Sequence, residues 1–443
     1  MNSALSKYLF YYPTTLLNGE NVGYYLKSYR ASQYWRSEEI AQFHESELKK
    51  LLKIARTASF YQGRYDLEGL LNKKGDDFFR SYSQEVPILE KKDLIENKSR
   101  MKTTNAGRYS EKTTGGSTGE PVTVLKNSIG LARERAATWR AYEWAGVTIG
   151  TKQARFWGVP HNRKNRLKAS LIDFVANRMR FSAFDLDSGS LDRIYQNIKK
   201  YSPDYLYGYV SAIRELAHFV LENAEKRNDT WSIKCVITTS EVLTQKDREI
   251  IERAFKCRVY NEYGCGEVGS IAHECEFGSM HVMAENVYLE QSEEGELIVT
   301  DLHNTVMPLI RYRIGDFAQI GYSECSCGVG LPVLTSIGGR AYDIIRTPEG
   351  RRIHPESVIY IFEALQQKYS YFKHFQVVQS AGNALTVNLV PTSNWSEKGR
   401  SELTQDIKSS LSTNMNVEIC IVDSIPREAS GKMRVVKFVG NIA

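Results

Sequence analysis

The stretch from residue 233 to residue 264 limits most strongly what this chain can fold into. A short apolar run over 233–238 predicts a buried strand, and the segment 244–255 has a capping-box start and predicts a helix. The segment 257–261, with Val259 and Tyr260 at its centre, predicts the next strand. Strand, helix and strand in this order indicate a β-α-β unit, and therefore a parallel sheet in a domain of the α/β class.

Polar residues follow both predicted strands of this unit. Thr239-Ser240-Glu241 comes after the first strand, and Tyr263-Gly264-Cys265-Gly266-Glu267 comes after the second. Ligands of open α/β sheets bind beyond the carboxyl ends of the strands. We therefore expect these two segments to border a ligand site.

A loop of small residues over 113–121 has the composition of a phosphate-binding segment. It contains three glycines and four hydroxyl side chains, which allow backbone N–H and side-chain O–H groups to surround phosphate oxygens. It is not a Walker loop, because Glu120-Pro121 stands where Lys-Ser/Thr would follow the last glycine. An ordinary turn is the alternative interpretation. If phosphate binds here, the positive charge must come from elsewhere, and Lys432 in a Ser-Gly loop is the candidate.

Composition and charge set the class of protein. A chain of 443 residues, 42% of them hydrophobic, can bury a large core and form more than one domain. The net charge of +6 is modest and the basic clusters are short, so no nucleic-acid partner is expected. No run approaches the ~18 apolar residues of a membrane span, and the first residues do not have the pattern of a secretory signal. Seven cysteines then favour free thiols or metal ligands in a reducing cytoplasm.

The pattern changes near residues 340–343. A hairpin is predicted over 344–354, and it is followed by two helices and three strands that form an independent α+β unit. We therefore predict a large α/β domain over 1–339 and a small α+β domain over 340–443, joined by a hinge.

Five motifs follow one another along the chain: the loop at 113–121, Tyr263-Gly264-x-x-Glu267, Tyr312-Arg313-Ile314-Gly315-Asp316, Gly339-Arg340-x-x-Asp343 and Pro426-Arg427-x-x-Ser430-Gly431-Lys432. In order and spacing they resemble the adenylate-forming acyl-CoA synthetase superfamily. The resemblance is strongest to the phenylacetate–CoA ligase branch, which includes members associated with capsular polysaccharide biosynthesis. It spans about 105–434, which is most of the chain.

The resemblance implies a role for each matching residue. It assigns the leaving pyrophosphate to Gly116, Ser117, Thr118 and Gly119. It assigns the adenine pocket to Glu241 and Val242, and stacking on adenine to Tyr263. It assigns the ribose hydroxyls to Asp316, and ribose or the α-phosphate to Arg340. Glu267 would bind magnesium, and Lys432 would be the catalytic lysine.

The chemistry of these residue types suits the implied roles. A flat aromatic ring matches a purine face, and a carboxylate beside phosphate oxygens matches the hard Mg²⁺ ion. The two oxygens of Asp316 can accept hydrogen bonds from two vicinal hydroxyls. A preorganised ammonium at Lys432 would stabilise charge that builds on the phosphate oxygens. The alternatives are a core tyrosine at Tyr263, a turn aspartate at Asp316 and a surface lysine at Lys432.

Two positions depart from the pattern of the superfamily. Gly266 stands where a Thr or Ser usually precedes the magnesium-binding glutamate, which removes one hydroxyl contact to phosphate. Tyr342 occupies the hinge position that is commonly an aspartate. Both put typical nucleotide affinity and domain rotation in question, and they are the only support for a member that binds a nucleotide without turnover.

Four further residues form a second constellation, consisting of Cys275, His281, Cys325 and Cys327. Thiolates and imidazole at such close spacing suit tetrahedral Zn²⁺, and four protein ligands would make the site structural. Some ligases of the resembled branch carry a similar set. Buried free thiols are the alternative.

The resemblance implies ATP-dependent activation of a small carboxylic acid to an acyl-adenylate, followed by acyl transfer to coenzyme A. An amine or hydroxyl acceptor in cell-surface polysaccharide biosynthesis is the alternative. Trp157 and Tyr207 lie in aromatic segments that line either an acyl slot or the core. The sequence leaves the acid, the acceptor and the oligomeric state open.

Overall fold

A mixed sheet of eleven strands forms the centre of the protein in this computed structural model. The structure describes these residues: 1–104, 107–114, 122–158, 163–183, 186, 188–223, 231–241, 243, 245–293, 295–322, 325–338, 345–353, 355–380, 384–425 and 436–439.

Along the chain, most helices come before the strands of the central sheet or connect its parallel strands. A π-helical segment, Ser6–Tyr11, follows the first helix. The α-helices are α1 Ser3–Leu5, α2 Tyr12–Leu17, α3 Val22–Ser32, α4 Ser37–Ala55, α5 Leu67–Asn72, α6 Gly75–Glu85, α7 Lys91–Glu96, α8 Ser128–Trp144, α9 Arg163–Val175, α10 Ser188–Tyr201, α11 Val210–Glu222, α12 Gln245–Phe255, α13 Pro355–Tyr369 and α14 Glu397–Ser410.

The strands belong to four sheets of very different size. They are β1 Tyr109–Thr114, β2 Val122–Asn127, β3 Gln153–Trp157, β4 Arg178–Ser182, β5 Tyr205–Tyr209, β6 Cys235–Thr239, β7 Arg258–Cys265, β8 Gly269–Glu274, β9 Met280–Val282, β10 Val287–Gln291, β11 Glu296–Asp301, β12 Tyr312–Gly321, β13 Val333–Gly338, β14 Ile345–Arg346, β15 Arg352–Ile353, β16 Phe372–Ser380, β17 Ala384–Pro391, β18 Asn416–Ile421 and β19 Val436–Val439.

The central sheet has a parallel half and an antiparallel half. Its strand order is β10-β11-β12-β13-β9-β8-β7-β6-β5-β3-β4. The parallel half consists of β4, β3, β5, β6 and β7. From β7 onward, neighbouring strands pair antiparallel through β8, β9, β13, β12, β11 and β10. Parallel pairing of β6 with β7 across α12 confirms the predicted β-α-β unit.

Burial explains why the parallel strands read as apolar runs. Every residue of β5 and of β6 is buried, because helices cover both faces of this half. One apolar cluster unites these strands with α10, α11 and α12, and it includes Phe156, Leu206, Ile213, Ile251 and Val259. The antiparallel half instead shares its core with α4 to α7.

The residues after 344 form their own sheet and their own core. Strands β18, β17, β16 and β19 pair in that order, and α13 and α14 pack in the same apolar cluster as these strands. Strands β14 and β15 form the predicted hairpin. The structure thus has the predicted class, a large α/β unit with a smaller α+β unit. The division between 339 and 340 stays a prediction, since residues 339–344 lie outside the described ranges.

A separate two-stranded hairpin brackets the loop of small residues. Strands β1 and β2 pair antiparallel, with Thr114 opposite Val122. Residues 115–121 between them lie outside the described ranges. Among the helices that the structure describes, none is both long and apolar enough to cross a membrane.

Candidate active site

Three neighbouring parallel strands end at the same edge of the sheet and bring the predicted polar segments together. In register, Tyr209 of β5 lies beside Thr239 of β6, which lies beside Glu262 of β7. Glu241 and Tyr263 each follow one of these positions within two residues. The two predicted polar segments therefore lie at one edge of the sheet, at the carboxyl ends of β5, β6 and β7, which we call the ligand edge.

The turn after β6 is held by the carboxylate of Glu241. Its two oxygens accept hydrogen bonds from the Ser211 amide at 2.6 Å and from the Ser211 hydroxyl at 3.0 Å, in the first turn of α11. A carboxylate there is stabilised by the unpaired N–H groups of the helix start. Ser240 has φ 69°, a left-handed conformation that is uncommon outside glycine and that this anchoring helps to maintain.

Tyr263 and Asp316 are joined by a hydrogen bond, although β7 and β12 are not neighbours in the sheet. The Tyr263 hydroxyl donates to Asp316 Oδ2 at 3.0 Å. Asp316 is 8% exposed, and Gly315 before it has φ 77°, a backbone conformation that glycine adopts without strain. The structure therefore brings the predicted adenine-stacking ring and the predicted ribose acceptor into direct contact.

Glu267 lies in the tight turn that connects β7 with β8. Cys265 and Gly269 pair across this turn. Withdrawal from solvent, together with the negative charges of Glu267 and Asp316, raises the pKa of the Cys265 thiol to about 12. Both carboxylates thus act electrostatically on one thiol.

A buried lysine that sequence reasoning missed fixes this turn. The Lys126 ammonium donates to the Val268 carbonyl at 2.7 Å and to Asp301 Oδ2 at 2.5 Å, with side-chain exposures of 2% and 9% for Lys126 and Asp301. A Cβ at Gly269, which has φ 106°, would lie 2.3 Å from the carboxyl carbon of Glu134. The turn thus packs directly on α8, and only glycine fits there.

The remaining predicted ligand-site residues fall outside the described ranges. These are Gly116, Ser117, Thr118, Gly119, Val242, Arg340 and Lys432. Their roles stay predictions. The hairpin that carries the loop ends at Thr114 and resumes at Val122, four residues before Lys126, so β2 connects the loop to the Glu267 turn.

The structure brings the four predicted metal ligands together. Sγ of Cys275 is 3.6 Å from Sγ of Cys325, and Nε2 of His281 is 3.2 Å from Sγ of Cys327. One ligand atom from each residue lies within 4.8 Å of the other three. These distances suit four ligands of one tetrahedral ion.

The hydrogen bonding around His281 leaves its Nε2 as the nitrogen that can bind a metal ion. Nδ1 lies 3.2 Å from the Leu331 carbonyl, to which it donates as the N–H tautomer, so Nε2 faces the thiols as an acceptor. Burial lowers the pKa of His281, which keeps the imidazole neutral. Amides of Phe277 and Val329 donate to the sulfurs of Cys275 and Cys327 at 3.4 Å each.

Trp157 and Tyr207 lie next to the ligand edge. Their rings stack with centroids 5.9 Å apart, and Trp157 also stacks on Tyr209 at 4.5 Å. The Tyr207 hydroxyl donates to Glu262 at 3.2 Å. The segment named as a possible acyl slot is therefore both aromatic and acidic, and Glu262 was not anticipated from the sequence.

Comparisons with known proteins agree with this geometry. Residues 345–438 match the family described as the CapK C-terminal domain. The chain is 27% identical to protein CapK of Staphylococcus aureus over 398 residues, which covers 86% of this chain and 85% of CapK. It is 21% identical to phenylacetate–coenzyme A ligase of Thermus thermophilus over 299 residues, with 58% of this chain and 65% of that protein covered.

Solved structures show the same fold. 2-Hydroxyisobutyryl-CoA ligase in complex with 2-HIB-AMP and CoA, in its thioesterification state, superposes with a TM-score of 0.60 at 21% identity. The match covers 93% of this chain and 92% of that one. The open conformation of the same ligase gives a TM-score of 0.54, with 91% and 92% covered.

The fold is that of the adenylate-forming CoA ligases. In sequence, the chain is homologous to CapK and to phenylacetate–coenzyme A ligase. The resemblance that the five motifs indicated is thereby confirmed.

Proposed function

We propose that this protein activates a carboxylic acid with Mg·ATP and then transfers the acyl group to coenzyme A. The observation that carries the proposal is the contact of Tyr263 with Asp316 at the carboxyl-end edge of the sheet. Tyr263 has a ring that can stack on adenine, and its hydroxyl lies 3.0 Å from a carboxylate oxygen of Asp316, which can accept ribose hydroxyls. This pairing suits a nucleoside.

The first half-reaction follows from the chemistry of the proposed substrates. A carboxylate oxygen attacks the α-phosphorus, the bond from that phosphorus to the bridging oxygen breaks, and pyrophosphate leaves. Gly116, Ser117, Thr118 and Gly119 would hold that leaving group, Arg340 would contact ribose or the α-phosphate, and Lys432 would neutralise the developing charge.

Magnesium fits the residues at the β7–β8 turn. Glu267 supplies a carboxylate oxygen, and phosphate oxygens of the nucleotide would complete an oxygen shell. When bound, the ion neutralises phosphate charge. The buried contact of Lys126 with the Val268 carbonyl holds this carboxylate in place.

Adenine would lie between the Tyr263 ring and the turn that contains Glu241 and Val242. The Glu241 carboxylate accepts two hydrogen bonds from Ser211, so we expect it to fix the backbone of the turn and not to contact the base. Backbone N–H and C=O groups of the turn would then form the hydrogen bonds with the adenine edge.

In the second half-reaction the coenzyme A sulfur attacks the acyl carbonyl carbon, AMP leaves, and the thiol proton is released. One site must serve two reactions, which a domain rotation would allow. We place the moving unit at 340–443 and the fixed unit at 1–339, with Tyr342 at the hinge.

We further propose that Cys275, His281, Cys325 and Cys327 bind a structural Zn²⁺. Four protein ligands leave no open position for substrate, so the ion would join the β8–β9 hairpin to the connection between β12 and β13. Metal analysis of purified protein tests this, with one zinc per chain expected and zinc-free folded protein as the contradicting result.

A panel of carboxylic acids with ATP, Mg²⁺ and hydroxylamine tests the first half-reaction. An acyl-adenylate is trapped as a hydroxamate, so at least one aromatic, aliphatic or amino acid should give the coloured product. Reactions without ATP are the control. A folded protein that yields no hydroxamate and no ATP–pyrophosphate exchange with any acid would refute adenylation.

The acceptor is tested with the acid that reacts best. Coenzyme A and an amino sugar are offered separately and together, and products are separated by mass. Thioester formation supports coenzyme A, whereas direct amide formation would point to the alternative acceptor and would fit the homology to CapK.

A further inference from the structure

Glu262 is a carboxylate buried at the ligand edge, directly before Tyr263. Its side chain is 13% exposed, so it is neither a surface charge nor sealed in the core. In the parallel register it stands beside Thr239, at the carboxyl ends of the strands. Successive residues of a strand point to opposite faces, so Glu262 and Tyr263 border different sides of the sheet end.

Only neutral groups donate to this carboxylate among the residues that the structure describes. The Tyr142 hydroxyl donates to Oε2 at 2.7 Å, the Tyr207 hydroxyl to Oε1 at 3.2 Å, and the Thr239 hydroxyl lies at 3.5 Å from Oε1. His273 Nδ1 is 4.0 Å from Oε2, but burial and Arg140 lower the pKa of His273 to about 3. Glu262 therefore forms no ion pair within 4.0 Å in the described ranges, although the Arg155 guanidinium acts on it at longer range.

The neighbouring rings give this acidic position aromatic walls. Trp157 stacks on Tyr207 and on Tyr209, and Trp139 meets Tyr142 edge to face at 5.5 Å. The Arg155 guanidinium lies over the rings of Trp157 and Tyr207 at 4.6 and 4.9 Å, and its buried Nε has no hydrogen-bond partner in the described ranges. Unused hydrogen-bonding capacity is thus left among these aromatic rings.

A carboxylate beside these aromatic rings disfavours the binding of a purely apolar acyl group. An apolar acyl group would complete the removal of water from Glu262 without replacing the lost hydrogen bonds. A hydroxyl or ammonium group on the acyl part would use the remaining acceptor capacity of Oε2, which accepts only one of the donors described above. Burial already raises the pKa of Glu262, which reflects the cost of its desolvation.

We propose that Glu262 makes this protein selective for carboxylic acids whose acyl part carries a hydrogen-bond donor, either a hydroxyl or an ammonium group. This inference rests on the proposed adenylation. Tyr142 and Tyr207 act as positioning residues that orient the carboxylate, and the stacked rings accept the carbon skeleton.

Matched acids test the selectivity. The probes are phenylacetate with its 4-hydroxy and 4-aminomethyl derivatives, and propionate with its 3-hydroxy and 3-amino derivatives. Hydroxamate formation gives kcat/KM for each acid. In the natural protein a donor-bearing member should exceed its unsubstituted partner by about tenfold to a hundredfold, the range expected from one unpaired buried group.

Two substitutions at the same position separate shape from charge. Glu262→Gln keeps the shape and an acceptor oxygen, so a hydroxyl preference should persist while an ammonium preference falls about tenfold. Glu262→Leu removes the acceptor and should reverse the ratio in favour of the unsubstituted acid. Glu249→Gln, on the exposed face of α12, should leave all ratios unchanged.

The outcomes distinguish this inference from the proposed function. Hydroxamates from unsubstituted acids at rates equal to or above those of the donor-bearing acids would overturn the selectivity and leave adenylation standing. Ratios unchanged in both Glu262 variants would also overturn it. No hydroxamate from any acid would refute the adenylation and, with it, the selectivity.

Discussion

The central sheet builds two polar clusters that differ in how far they are closed. The Cys/His cluster, consisting of Cys275, His281, Cys325 and Cys327, lies on the antiparallel half, and its ligand atoms face one another within 4.8 Å. The ligand edge, consisting of Glu241, Glu262, Tyr263, Glu267 and Asp316, lies where parallel strands end and adjoins the antiparallel half. Three of its carboxylates, those of Glu241, Glu262 and Asp316, accept hydrogen bonds from neutral hydroxyl or amide groups.

We infer from this difference that one sheet separates stability from ligand binding. Four protein ligands around one ion would leave no position for substrate. Carboxylates that are oriented by neutral donors can accept further hydrogen bonds or bind metal ions. The comparison therefore predicts that damage to the first cluster alters folding, while damage to the second alters kinetics.

The largest of the expected effects is the loss of stability in Lys126→Met, whose side chain supports the Glu267 turn of the ligand edge. The substitution leaves the Asp301 carboxylate buried without its cation and frees the Glu267 turn, so unfolding free energy should fall by about 3–5 kcal/mol. Chemical denaturation measures the loss. Lys112→Met on the more exposed strand β1 is the control, and an unchanged midpoint in Lys126→Met would show that the turn is held otherwise.

Lys432→Ala tests the ligand edge by kinetics alone. Loss of a preorganised ammonium should lower the rate of adenylation by about 10²–10³, or ~3–4 kcal/mol of transition-state stabilisation. ATP–pyrophosphate exchange measures it, while the melting temperature should stay the same. Lys398→Ala, an exposed lysine of α14, should behave like the natural protein. Equal rates in both variants would exclude Lys432 from catalysis.

Cys327→Ser should damage the closed cluster. With one ligand lost, zinc affinity should drop by at least about 100-fold, or ~2.7 kcal/mol, and thermal stability should fall with the zinc content. Elemental analysis and thermal unfolding with and without a chelator report both. Cys420→Ser, on β18, should change neither. A zinc content equal to that of the natural protein would place the metal elsewhere.

Asp316→Asn should weaken nucleotide binding without unfolding the chain. The amide offers one acceptor oxygen where the carboxylate offers two, so KM for ATP should rise by about 10–100-fold, in line with ~1.5–3 kcal/mol for a charged hydrogen bond. Asp406→Asn, on α14, is the matched control. An unchanged KM would mean that ribose is bound by other groups.

Tyr263→Phe should give the smallest change. The ring that would stack on adenine is kept and only the hydrogen bond to Asp316 is lost, so KM for ATP should rise by about 2–10-fold, or ~0.5–1.5 kcal/mol. Tyr263→Leu, which also removes the ring, should exceed this effect. Equal effects of the two substitutions would show that stacking contributes nothing.

Sequence reasoning placed the two polar segments at one sheet edge because local patterns determine that arrangement. The alternation of strand, helix and strand over 233–264 was enough to place Glu241 and Tyr263 at one sheet edge, and the Cys/His spacing was enough to group four ligands. The contact between Tyr263 and Asp316 could not be derived that way, because the residues are 53 positions apart on strands that do not pair.

Other features of the site depend on tertiary packing that no local pattern encodes. Lys126 ends an apolar strand, where a lysine usually reaches solvent, and its burial follows from a partner 175 positions away. Glu262 left a clearer signal, since it is the one carboxylate in β7 and stands directly before Tyr263. That signal indicated a polar contact without indicating which side of the sheet it faces.

The bond from Lys126 to the Val268 carbonyl joins segments that are 142 positions apart. One segment is β2, which continues from the small-residue loop, and the other is the turn that carries Glu267. Any shift of β2 must therefore be passed on to that turn or strain the bond. Under the proposed function, departure of pyrophosphate from the loop would in this way weaken the binding of the magnesium ion at Glu267, so that pyrophosphate and the ion would leave together while the acyl-adenylate stays bound.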